Sequence, residues 1–238
     1  MKRVIVWLIA VLVFCSGGAV WAQDDLKVVV ETLEGGYRLL NDLQADFIQR
    51  SNIPGIKAES KGIGQVFLKK GKDGPPLFRF NYSKPKQQII SNGKTVWFYM
   101  PENRQVMVTE AAALLEGESG AVMGVLTGLG RITRDFTVRP AGNGKDKDGN
   151  YILELKPKKK NPVYSQLILA VSGVAVESYR REGKATEPFP LVTSTVYDTA
   201  GNKILLEFSK IKTNRGIDGS RFSFTPPEGV EVIRQGKP

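Results

Sequence analysis

Leu77-Phe78-Arg79-Phe80-Asn81-Tyr82 and Ser91-Asn92-Gly93-Lys94-Thr95-Val96-Trp97-Phe98-Tyr99-Met100 decide the fold of this chain. In the first stretch the aromatic residues fall at every second position, so Phe78, Phe80 and Tyr82 share one face of a strand. In the second, Trp97 and Tyr99 share a face and Phe98 opposes them. Asn92-Gly93 lies between residues 87–90 and 95–100, and both of its residues tolerate positive φ, which makes it the strongest hairpin signal in the sequence.

Working outward, the same period of two runs through residues 44–50, 62–70, 77–82, 87–90, 95–100 and 105–109. Turn-forming clusters separate these segments, as at Asn52-Ile53-Pro54-Gly55 and Met100-Pro101-Glu102-Asn103. A second block of strands is expected at 133–139, 151–156, 166–170, 175–180, 191–198, 203–212 and 222–225. Before the first block, Leu26, Val29, Val30, Leu33, Tyr37 and Leu40 fall at helical spacing and share one face. Gly35-Gly36 predicts a kink in that helix, since each glycine costs about 1 kcal/mol relative to alanine. Between the two blocks, residues 111–115 and the stripe Val122, Val125, Leu126 and Leu129 read as short apolar helices broken by glycine. Many short antiparallel strands with hairpin spacing predict a large, strongly bent sheet. Its apolar face needs a cover, and the helices are the candidates to lie across the concave side. No internal repeat and no long linker is seen, so one domain is expected.

At the N-terminus Lys2 and Arg3 precede an apolar run from Val4 to Phe14, then small residues and Val20-Trp21-Ala22. That order is the pattern of a secretory signal peptide, with 1–22 removed and 23–238 left as the mature domain. Phe14 stands where a lipidated cysteine would need a small residue, so Cys15, the one cysteine in the chain, leaves with the signal. The mature chain then has no disulfide and is held by its core. The whole chain carries 34 basic against 24 acidic residues, a net charge of +10. Such a balance suits solubility or affinity for an anionic surface, while export argues against a nucleic-acid partner.

The sequence contains no histidine, which removes Ser-His-Asp and Cys-His catalysis and the usual zinc sites. Gly117-Glu118-Ser119-Gly120-Ala121 lacks the second glycine of a nucleophile elbow. A carboxylate-based hydrolase using residues such as Asp46 and Glu59 is formally open, but nothing singles out a pair. No enzyme activity, cofactor or metal is expected. The aromatic residues suit ordinary core packing, or an apolar concave surface that admits an apolar ligand beneath weak, glycine-rich helices.

Several segments resemble the LolA family of periplasmic outer-membrane lipoprotein carriers. They are Leu43-Gln44-Ala45-Asp46-Phe47-Ile48-Gln49, Gly62-Ile63-Gly64-Gln65-Val66-Phe67-Leu68-Lys69-Lys70, Leu77–Tyr82 with Pro85, Ser91–Gln105, and Phe222-Ser223-Phe224-Thr225-Pro226-Pro227-Glu228-Gly229-Val230. They occur in the family's order from the first helix to the C-terminus. The resemblance implies a mainly β fold with an α lid: a single-domain, incomplete (half-open) antiparallel β-barrel covered by an N-terminal helix and short central helices. It implies a periplasmic monomer that takes outer-membrane-directed lipoproteins from an inner-membrane ABC-type release complex and delivers them to an outer-membrane lipoprotein acceptor. An alternative is a module of the same fold that binds another lipid or senses lipoproteins. The residues expected at the acyl-chain cavity and lid are Leu33, Tyr37, Phe47, Phe67, Phe78, Phe80, Trp97, Tyr99, Val122, Leu126 and Leu129. The family's latch arginine is missing from the stretch Lys69-Lys70-Gly71-Lys72-Asp73-Gly74-Pro75-Pro76, where Lys70 or Lys72 could be a partial substitute.

Overall fold

A computed structural model describes residues 23–71, 74–116, 125 and 132–234. Helix α1 (Gln23–Leu39) leads into strands β1 (Asp42–Asn52), β2 (Ser60–Lys69), β3 (Leu77–Lys84), β4 (Gln87–Ser91), β5 (Thr95–Met100) and β6 (Gln105–Glu110). Helices α2 (Ala111–Glu116) and α3 (Ile132–Asp135) follow, then β7 (Phe136–Lys145), β8 (Tyr151–Pro157) and β9 (Tyr164–Val171). Helix α4 (Gly173–Glu182), β10 (Leu191–Asp198), β11 (Lys203–Thr213) and β12 (Glu231–Arg234) complete the described chain. The twelve strands form one sheet in the order β12-β6-β5-β4-β3-β2-β1-β11-β10-β9-β8-β7. Its edges, β12 and β7, are not paired with each other, so the barrel is open. All pairs are antiparallel except β12 with β6.

Alternation sorts the side chains of this sheet onto two faces. The inward face carries Phe47, Val66, Leu68, Phe78, Phe80 and Val96 from the first block, and Phe136, Leu153, Leu155, Leu167 and Leu169 from the second, all in one core cluster. Val29, Val30, Leu33 and Tyr37 of α1 close over that cluster. The Asn92-Gly93 hairpin forms as expected: Gly93 takes φ +84°, and Asn92 Oδ1 accepts from the amides of Lys94 and Thr95.

Two local expectations, both of strands, are corrected. Helix α1 itself runs on through Gly35-Gly36. A Cβ at Gly36 would stand 2.4 Å from the Glu187 carbonyl oxygen and 2.7 Å from Pro190 Cδ, so the glycines make room for the 185–190 segment to cross α1. Residues 175–180 are helix, not strand. Ser172 Oγ caps α4 by accepting from Ala175 N, and Gly183 ends it at φ +68°. Tyr179 and Arg180 then reach α1, donating to Glu31 (2.9 Å) and Asp25 (2.6 Å). Residues 222–225 form no strand either; a 3-10 turn at Gly219–Phe222 precedes an extended strap.

That strap covers the outer face of β2–β6. Phe222 is fully buried, the Arg221 guanidinium stacks 4.3 Å over the Phe67 ring, and Phe224 packs against Trp97 and Tyr99 with centroids 6.1 and 5.3 Å apart. Its start is fixed by Asp42, 5% exposed, whose carboxylate accepts from the amides of Arg215, Gly216 and Ile217 at 2.8, 2.9 and 3.4 Å. Beside it Asn214, at φ +57°, accepts from Asn41 N and donates to Leu39 O. The α1–β1 corner and the root of the strap are therefore one knot. Asp42→Ala leaves these amides without their acceptor and is expected to cost about 2–3 kcal/mol, the range for bonds to a charged group, read as a lower urea midpoint.

Candidate functional site

The site is built where the inward face of the open sheet meets its helical cover. Phe47, Phe80 and Tyr82 meet edge to face, with Phe47 centroids 5.6 Å from Phe80 and 4.8 Å from Tyr82, and Phe78 lies 6.2 Å from Phe80. Across the interior, Tyr37 of α1 packs 5.9 Å from Phe189, which meets Phe208 at 5.5 Å. Edge-to-face packing of this kind adds to the stabilisation from burying the rings. Between α1 and the start of the edge strand β7 lies a groove of about 740 Å³, lined by Leu26, Val30, Phe136 and Val138 together with Lys27, Glu34 and Lys158. That volume is within the range of small-ligand pockets.

Two side chains one turn apart on α1 bond to Val125 and Thr133 beside this interior. The buried Tyr37 hydroxyl donates to the Val125 carbonyl oxygen at 2.9 Å. Glu34 Oε1 accepts from both the amide and the hydroxyl of Thr133 at 3.1 Å. Burial pushes the Tyr37 phenol well above its ordinary 10.0, so the donor stays protonated through the neutral range. Burial also pushes Tyr82 up to about 12, and its hydroxyl donates to Gln49 Oε1 at 2.8 Å.

Leu33, Tyr37, Phe47, Phe78 and Phe80 all lie in the inward cluster, as the sequence suggests. Phe67, Trp97 and Tyr99 do not. Their neighbours Val66, Leu68, Val96 and Phe98 point inward, so alternation turns these three rings outward, under Arg221 and Phe224. The aromatic pattern identifies two faces but not which one the helices cover. Val122, Leu126, Leu129 and Lys72 lie outside the described residues. Lys70 is exposed and its side chain bonds to none of the described residues. The tie through Glu34 was not legible in the sequence, where a lone glutamate on a helix reads as a solvated residue; its place three residues before Tyr37 is the one available signal.

Among the described residues no cluster of three or more His, Cys, Asp or Glu side chains could hold a metal ion, and no helix is long and apolar enough to cross a membrane. The chain matches the family described as outer membrane lipoprotein carrier protein LolA over residues 38–180. It is 28% identical to the outer-membrane lipoprotein carrier protein of Albidiferax ferrireducens over 207 residues, 87% of this chain and 91% of the relative. It is 28% identical to that of Methylibium petroleiphilum over 99% of this chain and all of the relative. The crystal structure of an uncharacterized conserved protein from Thermus thermophilus has the same fold, with a TM-score of 0.50 at 13% identity, covering 88% of this chain and 98% of that one. The chain belongs to the LolA family.

Two outcomes follow from the tyrosines. Tyr37→Phe keeps the ring but removes the donor to Val125; it is expected to lower stability by about 1–2 kcal/mol and to speed amide exchange at Val125, measured by hydrogen exchange. The folded state also holds tyrosine protons that the unfolded chain releases near pH 10.0. Stability is therefore full below that pH and falls as pH rises through about 12, and Tyr82→Phe is expected to flatten part of the fall in urea midpoint.

Proposed function

We propose that this protein carries lipoproteins between membranes by sheltering their acyl chains on the inward face of the open barrel. The observation that carries the reading is the continuous apolar inner face, from Phe47 and Phe80 to Phe136 and Leu167, covered by helices rather than by closure of the sheet. Family membership supports the same cargo. A sixteen-carbon chain exposed to water costs roughly 13 kcal/mol at about 0.8 kcal/mol per CH₂, so a lipoprotein cannot cross an aqueous space unaided. A carrier solves this by exchanging one apolar environment for another, with no bond made or broken.

In this reading Leu33, Tyr37, Phe47, Phe78 and Phe80 contact acyl chains once the cover shifts, and the groove along α1 is where a chain first finds apolar surface. Residues 1–22 act as a cleaved export signal and place the domain 23–238 in the periplasm. There it takes lipoproteins from an ABC-type release complex in the inner membrane and passes them to an acceptor at the outer membrane. The ties from Tyr37 and Glu34 are neutral or solvent-facing hydrogen bonds, individually weak enough to break for loading and release.

The reading is tested by incubating the purified protein with inner membranes and the release machinery and asking whether a soluble lipoprotein complex forms. Mass spectrometry of the bound lipid then separates triacylated lipoprotein from another lipid. Phe98 is half-buried on the inward face opposite Ile89. Phe98→Glu places a charge beside the chains and is expected to weaken binding of a fluorescent fatty acid by about tenfold or more, with an unchanged circular dichroism spectrum. Undiminished binding in that variant would remove the inward face as the site.

A further inference from the structure

Eight large hydrophobic side chains are exposed among the described residues, and four of them, Ile53, Ile56, Val163 and Ile204, stand at one end of the sheet. They come from the β1–β2 connection, the β8–β9 connection and the start of β11. These segments touch one another. Asn52 pairs with Lys203, and Thr199 of the β10–β11 turn bonds to the carbonyl oxygens of Pro162 (2.7 Å) and Val163 (3.2 Å). The same end carries Lys57, Lys61, Lys159 and Lys160, all exposed and none in an ion pair among the described residues. Three acids of these neighbouring connections are engaged. Glu59 faces Arg50 at 3.5 Å, Asp135 faces Arg134 at 2.9 Å, and Asp198 accepts from Asn202 N at 2.8 Å.

We propose that this end of the barrel docks on a phospholipid bilayer bearing anionic headgroups. The lysines lie at headgroup level, and Ile53, Ile56 and Val163 enter the upper acyl region. Charge complementarity selects the partner: unpaired lysines ringing exposed aliphatic side chains match a diffuse anionic surface with apolar material beneath it. The aliphatic groups project from separate loops instead of lining a groove, and the cations are mobile point charges rather than the arginine forks and aromatic anchors that mark protein interfaces. Lys158, which begins the Lys158–Lys160 run, also lines the groove along α1, so docking sets that groove beside the bilayer.

The test is cosedimentation of the purified protein, without lipoprotein cargo, with vesicles of equal parts phosphatidylglycerol and phosphatidylethanolamine, and with vesicles of phosphatidylcholine alone. Binding is expected to the anionic vesicles only and to fall as salt is raised. Lys159→Gln with Lys160→Gln is expected to weaken it about 25-fold, at about fivefold for each lysine, with an unchanged melting curve. Ile53→Ser with Ile56→Ser is expected to weaken binding while keeping its salt dependence. Absence of binding to anionic vesicles, or equal binding by wild type and variants, overturns the proposal. So does a loss confined to binding of the detergent-solubilised release complex, which would make this end a protein interface. Because no cargo is present, these outcomes are independent of the carrier function.

Discussion

The inner face of the sheet is apolar from β5 to β7, and the sheet does not close, so something other than a strand has to keep water from it. Nearly every other feature answers that need. Helix α1 lies across the opening with Val29, Val30, Leu33 and Tyr37 inward, and α4 braces it through Tyr179 and Arg180. The glycines at 35 and 36 let the 185–190 segment pass close against it. Neighbouring strands from β5 round to β7 contribute residues to the interior, so the cover shields one long stripe rather than a set of isolated contacts.

The cover is held both by packing and by hydrogen bonds. Val125 and Ile132 are fully buried in the same core cluster as α1, while the Tyr37 phenol donates to the Val125 carbonyl and the Glu34 carboxylate accepts from Thr133. The outer face is covered by the strap. There Phe222 is fully buried, Arg221 stacks on Phe67, and the carboxylate of Asp42 gathers the amides of the strap.

The knot at Asp42 lies at the end of the sheet where β1 begins, while Lys57, Lys61, Lys159 and Lys160 and the exposed Ile53, Ile56 and Ile204 stand at the end where β1 stops. Screening over about 8 Å at physiological ionic strength keeps these lysines from influencing the far end, so the two ends are electrostatically separate.

Residue order alone settled a good deal: the antiparallel strands, the Asn92-Gly93 hairpin and the amphipathic face of α1 follow from spacing and turn chemistry, and the family from the resemblance of several segments in order. These are local properties, carried by period and by backbone preference within a few residues. What it could not settle depends on which surfaces meet. Phe67, Trp97 and Tyr99 look no different from Phe47, Phe78 and Phe80 along the chain, because alternation defines two faces without naming the covered one. Residues 175–180 could be strand or helix until Ser172, Gly183 and the facing α1 decided it. The tie from Glu34 to Thr133 spans 99 residues, and no local pattern encodes a contact made only when the barrel curls.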